Sequence, residues 1–339
     1  MTNLVLLSYG NTKEYRRAVL AVLSFFSYQM IEEIALAVQI IIYTDTTEYF
    51  LQHLQGLPVK YVVFTREQFA EMMKPTGYRH RIKLVVVGEA LSKHPKDNLL
   101  FFDSDTFFLQ HPGPLLARIR PGVSIMHQVE FAFNDVADMV LPNRKTVRNF
   151  LTALEEHAFV TARGEEHFVG SQQCWNSGVL GLSPSVISYL PDVFQLTDYL
   201  YTNSHWHISE QIAFSLVLQT RDTLLPSDEY VYHYWEGSKK VVADALLEQA
   251  LDQGFTSLPF AEKMATVKRL TAQLPTAITA YLAAHPEIGL KESAINAFNG
   301  DKYFTAYRAA FAYFLKKPAD RKFIKDVLYH TKRRLALRK

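Results

Sequence analysis

Two carboxylates one residue apart, Asp103 and Asp105, follow directly on the apolar run Leu99-Leu100-Phe101-Phe102. On an extended backbone, positions i and i+2 point to the same side, so both acids can reach one cation. Side by side they repel and lose hydration unless a cation or hydrogen bonds compensate them. A metal-gripping pair and a pair of solvated turn acids both fit this spacing, and the buried strand leading into them favours the first. Two further segments carry possible chemistry. Cys174-Trp175-Asn176-Ser177-Gly178 ahead of Val179-Leu180-Gly181 brings small polar residues to a strand entry, where backbone can approach a ligand closely. Tyr232-His233-Tyr234 is followed by Lys239, six residues after the histidine. A neutral imidazole can complete a metal site begun by carboxylates, and a lysine can meet phosphate oxygens. Taken alone, His233 reads equally as a hydrogen-bonded core histidine.

The elements that must hold these residues alternate through the first half of the chain. Strands are expected at Asn3–Leu7, 38–43, 59–64 and 98–102, with helices at about 13–29, up to Leu54, from Thr65, and at 81–91. Val38-Gln39-Ile40-Ile41-Ile42-Tyr43 is nearly continuous in apolar, β-branched residues, as in a strand covered on both faces. This rhythm predicts an α/β fold with a mostly parallel sheet flanked by helices, and ligands bind such sheets at the carboxyl ends of the strands. Later segments predict strands near 122–126, 177–182 and 230–234 and helices near 144–159 and 209–218. From about Val241 to Arg334 the sequence is helical in character, with breaks expected at Gly254, Pro259, Pro275, Pro286 and Pro318. The expected division is a body of residues 1–245 and a helical C-terminal region of 246–339.

In this order, the Asp-x-Asp after a buried strand, the Asn-Ser-Gly turn and the His with a Lys six residues on resemble the GT-A glycosyltransferases, notably the glycogenin-like and lipopolysaccharide galactosyltransferase-like groups. The resemblance runs from about Leu4 to Lys240. It departs from the glycogenin-like pattern at Gly237, four residues after the histidine rather than three, and at Lys239-Lys240-Val241 in place of Lys-Pro-Trp. The resemblance implies a metal-dependent transfer from a nucleotide-sugar, most simply a UDP-sugar, to a glycan or glycolipid acceptor. It implies Asp105 and His233 as ligands of Mn²⁺ or Mg²⁺, with Asp103 on the metal or the ribose. It further implies Lys239 on the diphosphate, Tyr9 and Asp45 beside the nucleoside, Asn176 in the middle motif, and Arg79 or Lys83 on donor phosphate or sugar. Glu210, at a helix start in Ser209-Glu210-Gln211, falls where an acid faces the acceptor; as general base it implies inversion, and without such a base retention follows. Favourable charge in the first turn of a helix explains Glu210 as well. Two rivals share the Asp-x-Asp. A haloacid-dehalogenase-like phosphohydrolase has it too, but wants threonine one place later than Thr106; a non-catalytic nucleotide-sugar-binding protein is the other.

Composition sets the frame. The chain has 339 residues, 48% of them hydrophobic and 13% aromatic, enough for a large buried core and too apolar for disorder. One cysteine, Cys174, allows no internal disulfide and suits a reducing compartment. With no secretory leader pattern at Met1-Thr2-Asn3 and no apolar run of spanning length, a cytoplasmic protein is expected. Charge is uneven: residues 316–339 carry ten Lys or Arg against Asp320 and Asp326, while the whole chain is only +2. The body is therefore mildly acidic, which disfavours nucleic acid as a partner. The basic tail, with Phe323, Ile324, Val327, Leu328, Leu335 and Leu337 among its cations, suits an anionic membrane surface at the inner face, or else a solvated end.

Overall fold

The computed structural model describes residues 1–28, 38–138 and 144–336. Gln29 at the expected end of the first helix, and Leu337, Arg338 and Lys339 of the tail, lie outside the described residues.

Thirteen strands occur among the described residues: β1 (Thr2–Leu7), β2 (Val38–Thr44), β3 (Val59–Val63), β4 (Asn98–Phe102), β5 (Thr106–Phe108), β6 (Val123–Met126), β7 (Val129–Ala132), β8 (Phe159–Thr161), β9 (Gly164–Glu166), β10 (Gln173–Trp175), β11 (Val179–Leu182), β12 (Thr223–Pro226) and β13 (Val231–His233). Seven of them form one sheet in the order β12-β6-β11-β4-β1-β2-β3. Every pairing is parallel except those of β11, which runs antiparallel to both β4 and β6. The mostly parallel α/β sheet with flanking helices is the one expected.

Strand composition explains the burial. Leu4, Leu6, Ile40, Ile42, Leu100 and Phe102 enter the core on one face, and Val5, Ile41, Tyr43, Leu99 and Phe101 enter the core on the other. Alternate residues of one strand point to opposite faces, so only a near-continuous apolar run can fill both. The helix Thr12–Phe26 covers the first face and the helix Arg81–Lys93 the second. Asn11 caps the former by accepting from the backbone N–H groups of Lys13 and Glu14, 3.0 and 3.3 Å away.

Several expectations are corrected. The helix expected to reach residue 159 ends at Glu155, and Phe159–Thr161 instead pairs with β9 as a hairpin. Pro275 does not break the chain; it lies inside the helix Phe260–Ala284. Core packing of Leu274 and Ile278 on either side offsets the lost N–H bond there. Gly254 likewise falls within a short helix, Gln253–Thr256. Pro226 ends β12, an edge strand, where its missing N–H is tolerated.

Helices through residue 284 share the core of the body: Val242, Leu247, Val267 and Ile278 pack in the cluster that holds Leu4 and Phe102. The buried pair Arg17–Asp244, with two contacts of 2.7 Å, ties the helix Gly237–Ala250 to the first helix. A separate small core of Ala294, Phe298, Ala306, Ala310, Tyr313 and Phe323 joins the last three helices, Pro286–Asn299, Tyr303–Lys316 and Arg321–Ala336. Phe323 is thus interior and Val327 packs against the same cluster, so neither belongs to an outward apolar face of the tail.

Candidate active site

A cleft of about 840 Å³ opens at the carboxyl ends of β1 and β4, lined among others by Tyr9, Arg79, Lys83, Asp103, Asp105, Asn176, Glu210, His233 and Lys240. That is ample for a ligand of nucleotide size. The sheet delivers its parts separately. β4 ends at Phe102, where the backbone N–H of Asp103 bonds the Gly178 carbonyl at 2.8 Å. This fixes the acid pair against the Asn-Ser-Gly turn that leads into β11. His233 arrives on β13, which pairs antiparallel with β5 in the register His233↔Thr106, and the Tyr234 N–H bonds the Asp105 carbonyl at 3.1 Å. A residue distant in sequence is thereby pinned beside the acid pair.

Ligand atoms of Asp103, Asp105 and His233 all lie within 4.8 Å of one another. Asn176 sets the imidazole. Its Nδ2 donates to Glu130 Oε1 at 2.8 Å, so its Oδ1 is the atom 2.8 Å from His233 Nδ1. An amide oxygen only accepts, so Nδ1 carries a proton, and the other ring nitrogen, Nε2, is turned to Asp105 Oδ1, 3.3 Å away. Two carboxylates and an imidazole whose Nε2 is turned toward them are a donor set that can hold a divalent metal ion. Gly178 makes the arrangement possible: a Cβ there would stand 2.2 Å from His233 Cε1 and Nδ1.

The two acids differ electrostatically. Burial works against ionisation of Asp105, but His233 and Lys240, whose Nζ is 2.6 Å from Asp105 Oδ2, hold its carboxyl well below the usual range. Asp103 is pushed up by burial and by the charge of Asp105, against the pull of Lys83. Lys83 is itself buried, with Nζ 3.0 Å from Asp103 Oδ2, 3.1 Å from Glu210 Oε1 and 3.1 Å from the Ser177 carbonyl oxygen.

The expected site residues divide. Tyr9, Arg79, Lys83, Asp103, Asp105, Asn176, Glu210 and His233 converge on the cleft. Arg79 Nε donates to the Tyr9 hydroxyl at 3.0 Å, and the Tyr9 ring stacks on Phe69 with centroids 4.4 Å apart. Asp45 and Lys239 do not line the cleft. Asp45 accepts from the Gly10 N–H at 3.0 Å and the Tyr15 hydroxyl at 2.8 Å, bracing the turn that presents Tyr9. Lys239 pairs with Glu236 at 2.8 Å and lies over the Trp235 ring. Glu210 is buried and accepts from Ser177 Oγ at 2.7 Å; burial alone would raise its pKa, but Lys83, His80 and Ser177 together hold it low, which makes it a weak proton acceptor.

Some cleft residues escape motif reading. Glu130 accepts from Asn176 Nδ2 and, at 2.7 Å, from Gln211 Nε2, and among the described residues it has no cation partner. Glu14 accepts from Ser104 Oγ at 2.9 Å and is held by Arg17 at 2.8 Å, linking the residue between the two acids to the first helix. Neither position has a sequence signature, because each is brought in by the fold of an unremarkable strand or helix. Lys240 stands beside Lys239 in sequence, and only the way the helix from Gly237 is held on its neighbours decides which of the two turns inward.

No protein-family model matches this chain. No curated protein matches it in sequence. Among solved structures, the apo form of mouse xyloside xylosyltransferase 1 is similar, with a TM-score of 0.43 and 14% identity over 67% of this chain and 85% of that one.

Proposed function

We propose that the chain is a metal-dependent glycosyltransferase of the GT-A type, moving a sugar from a nucleotide-sugar, most simply a UDP-sugar, to a hydroxyl of a glycan or glycolipid acceptor. The observation that carries this reading is the Asp103, Asp105 and His233 cluster at the strand ends, flanked by two lysines in one cleft. Residues 1–245 form the catalytic unit in this reading, with the helices beyond buttressing it. The lone, buried Cys174 suits a cytoplasmic setting.

Asp105 and His233 would hold Mn²⁺ or Mg²⁺, with Asp103 on the metal or the ribose. Bound there, the ion would neutralise a diphosphate. Departure of that diphosphate from the anomeric carbon leaves negative charge on its oxygens, and a preorganised cation nearby stabilises the charge as it develops. Lys240 takes this role in place of Lys239, because its ammonium already faces the acids. Tyr9 and Arg79 offer a face and a charge to the nucleoside and phosphate, and Asp45 contributes by holding the Tyr9 turn. Lys83 keeps Asp103 oriented. Glu210, expected as a general base, serves chiefly to fix Lys83, and Glu130, a cleft carboxylate with no cation partner among the described residues, is the acid assigned to the acceptor hydroxyl in this reading.

A panel of nucleotide-sugars, assayed with Mn²⁺ and with chelator, tests the reading. Metal-dependent transfer or hydrolysis that disappears in Asp105→Ala supports it. Phosphate release from simple monoesters would instead identify a phosphohydrolase, and tight nucleotide binding without turnover would identify a binding protein.

A further inference from the structure

The last two helices leave a large apolar surface without a partner. On the helix Tyr303–Lys316, Phe304, Phe311 and Leu315 are 82%, 66% and 72% exposed. Their spacing of seven and four residues puts them in one stripe. On the helix Arg321–Ala336, the exposed Ile324, Leu328 and Leu335 repeat at four and seven.

The two stripes border the same side of the helix pair. The helices run antiparallel: Tyr307 meets Thr331 at 2.9 Å, Phe314 meets Phe323 with centroids 5.2 Å apart, and Arg334 lies over Tyr303. On the first helix, Ala306 and Ala310 face inward, Tyr307 and Phe314 face the last helix, and the next stripe around is Phe304, Phe311 and Leu315. On the last helix, His330 stacks on Phe298 at 4.9 Å, Thr331 faces Tyr307, and the next stripe around is Ile324, Leu328 and Leu335. Both continue past the mutual contact, away from the helix Pro286–Asn299.

Cations border this face. Arg308 lies between Phe304 and Phe311, and Lys325 and Lys332 lie three before and four after Leu328; all three are exposed, and none has a carboxylate partner among the described residues. The helix Tyr303–Lys316 contains no acid at all.

We propose that this two-helix face is a docking surface for an anionic lipid bilayer, its aromatic and leucine side chains entering the interface while the cations meet phosphate headgroups. Among the described residues no helix is long and apolar enough to cross a membrane, so contact would be peripheral. The charge separates the bilayer from a second copy of the chain, since self-association would set Arg308, Lys325 and Lys332 against like charges. The inference stands whether or not the cleft transfers sugar.

Co-sedimentation of the full chain with vesicles tests it, using phosphatidylcholine alone and phosphatidylcholine mixed equally with phosphatidylglycerol. Binding is expected to the mixed vesicles, to weaken with salt, and to be near background on the neutral ones. The triple variant Phe304→Ser, Phe311→Ser, Leu315→Ser, whose altered side chains are all exposed, is expected to bind about tenfold more weakly with an unchanged circular dichroism spectrum. A second variant, Lys325→Glu with Lys332→Glu, leaves the apolar stripe intact and should lose the preference for anionic vesicles. Wild-type binding retained by both variants, equal binding to the two vesicle types, or no vesicle binding together with a concentration-dependent dimer in sedimentation velocity would each overturn the proposal.

Discussion

Gly178→Ala is the smallest change that separates the Asp103, Asp105 and His233 cluster from the fold. The added Cβ would stand 2.2 Å from His233 Cε1 and Nδ1 and 2.9 Å from Asn176 Oδ1. Carbon–carbon contact is favourable only near 3.5–4.0 Å, so the imidazole must retreat by roughly 1.5 Å. It has little room to do so, because Trp235 and His127 stand against it with ring centroids 5.1 and 5.4 Å away. A retreat of that size breaks the 2.8 Å bond between His233 Nδ1 and Asn176 Oδ1 and swings Nε2 off the acid pair. Overpacking of this kind costs about 1–3 kcal/mol, and the lost hydrogen bond lies within that range. Metal affinity should suffer more than stability does, by about 10–100-fold, since the ligand loses both its place and its orienting partner. Isothermal titration with Mn²⁺, alongside urea denaturation of the same samples, measures both. A Gly178→Ala protein that binds Mn²⁺ within about twofold of wild type would refute the assignment of His233 as a ligand held through Asn176.

Two further changes probe the groups around that cluster, and a third probes the small core of the last helices. Lys83→Ala strands the buried carboxylate of Glu210 and should destabilise the protein by about 3 kcal/mol in urea denaturation, with Lys83→Ala plus Glu210→Gln recovering much of the loss; strictly additive effects would show that the two do not act as a pair. Lys240→Met should lower turnover about 10²–10³-fold, as expected for a removed charge-stabilising group, and Lys239→Met should change it little; the reverse order would restore the diphosphate role to Lys239. Asp320 caps the last helix through the Phe323 N–H at 3.0 Å, and Lys291 at 2.7 Å, the Tyr313 hydroxyl and that N–H together hold its carboxyl well below the usual range. A carboxylate depressed in the folded state adds stability above its unfolded pKa of about 3.9 and loses it as pH falls through the folded value. The melting temperature of wild type should therefore drop more steeply below about pH 4 than that of Asp320→Asn, which keeps a capping group but no charge.

What could be read from the residues, and what could not, follows from how far each constraint reaches along the chain. The strand Asn98–Phe102 was found to the residue, because a strand buried on both faces needs an unbroken apolar run and the two acids end it sharply. Strands of three or four residues, such as β5, β10 and β13, owe their state to their partners rather than their own sequence, so β5 and β10 carry no local signal. The same limit governs the cleft. Asp103 and Asp105 are legible because their relation is local, one residue apart on extended chain. Lys239 and Lys240 are not separable that way: adjacent positions on a helix point about 100° apart, so the choice depends on how the helix Gly237–Ala250 sits on its neighbours. Arg17 settles it, since its two bonds to Asp244 fix the rotation of that helix, and Lys240 lies one turn before Asp244 on the same face. A pairing 227 residues apart in sequence thus decides which lysine meets Asp105. Weakening that tie with Arg17→Met should accordingly loosen Lys240 before it disturbs Asp103, whose own partner Lys83 belongs to a different helix.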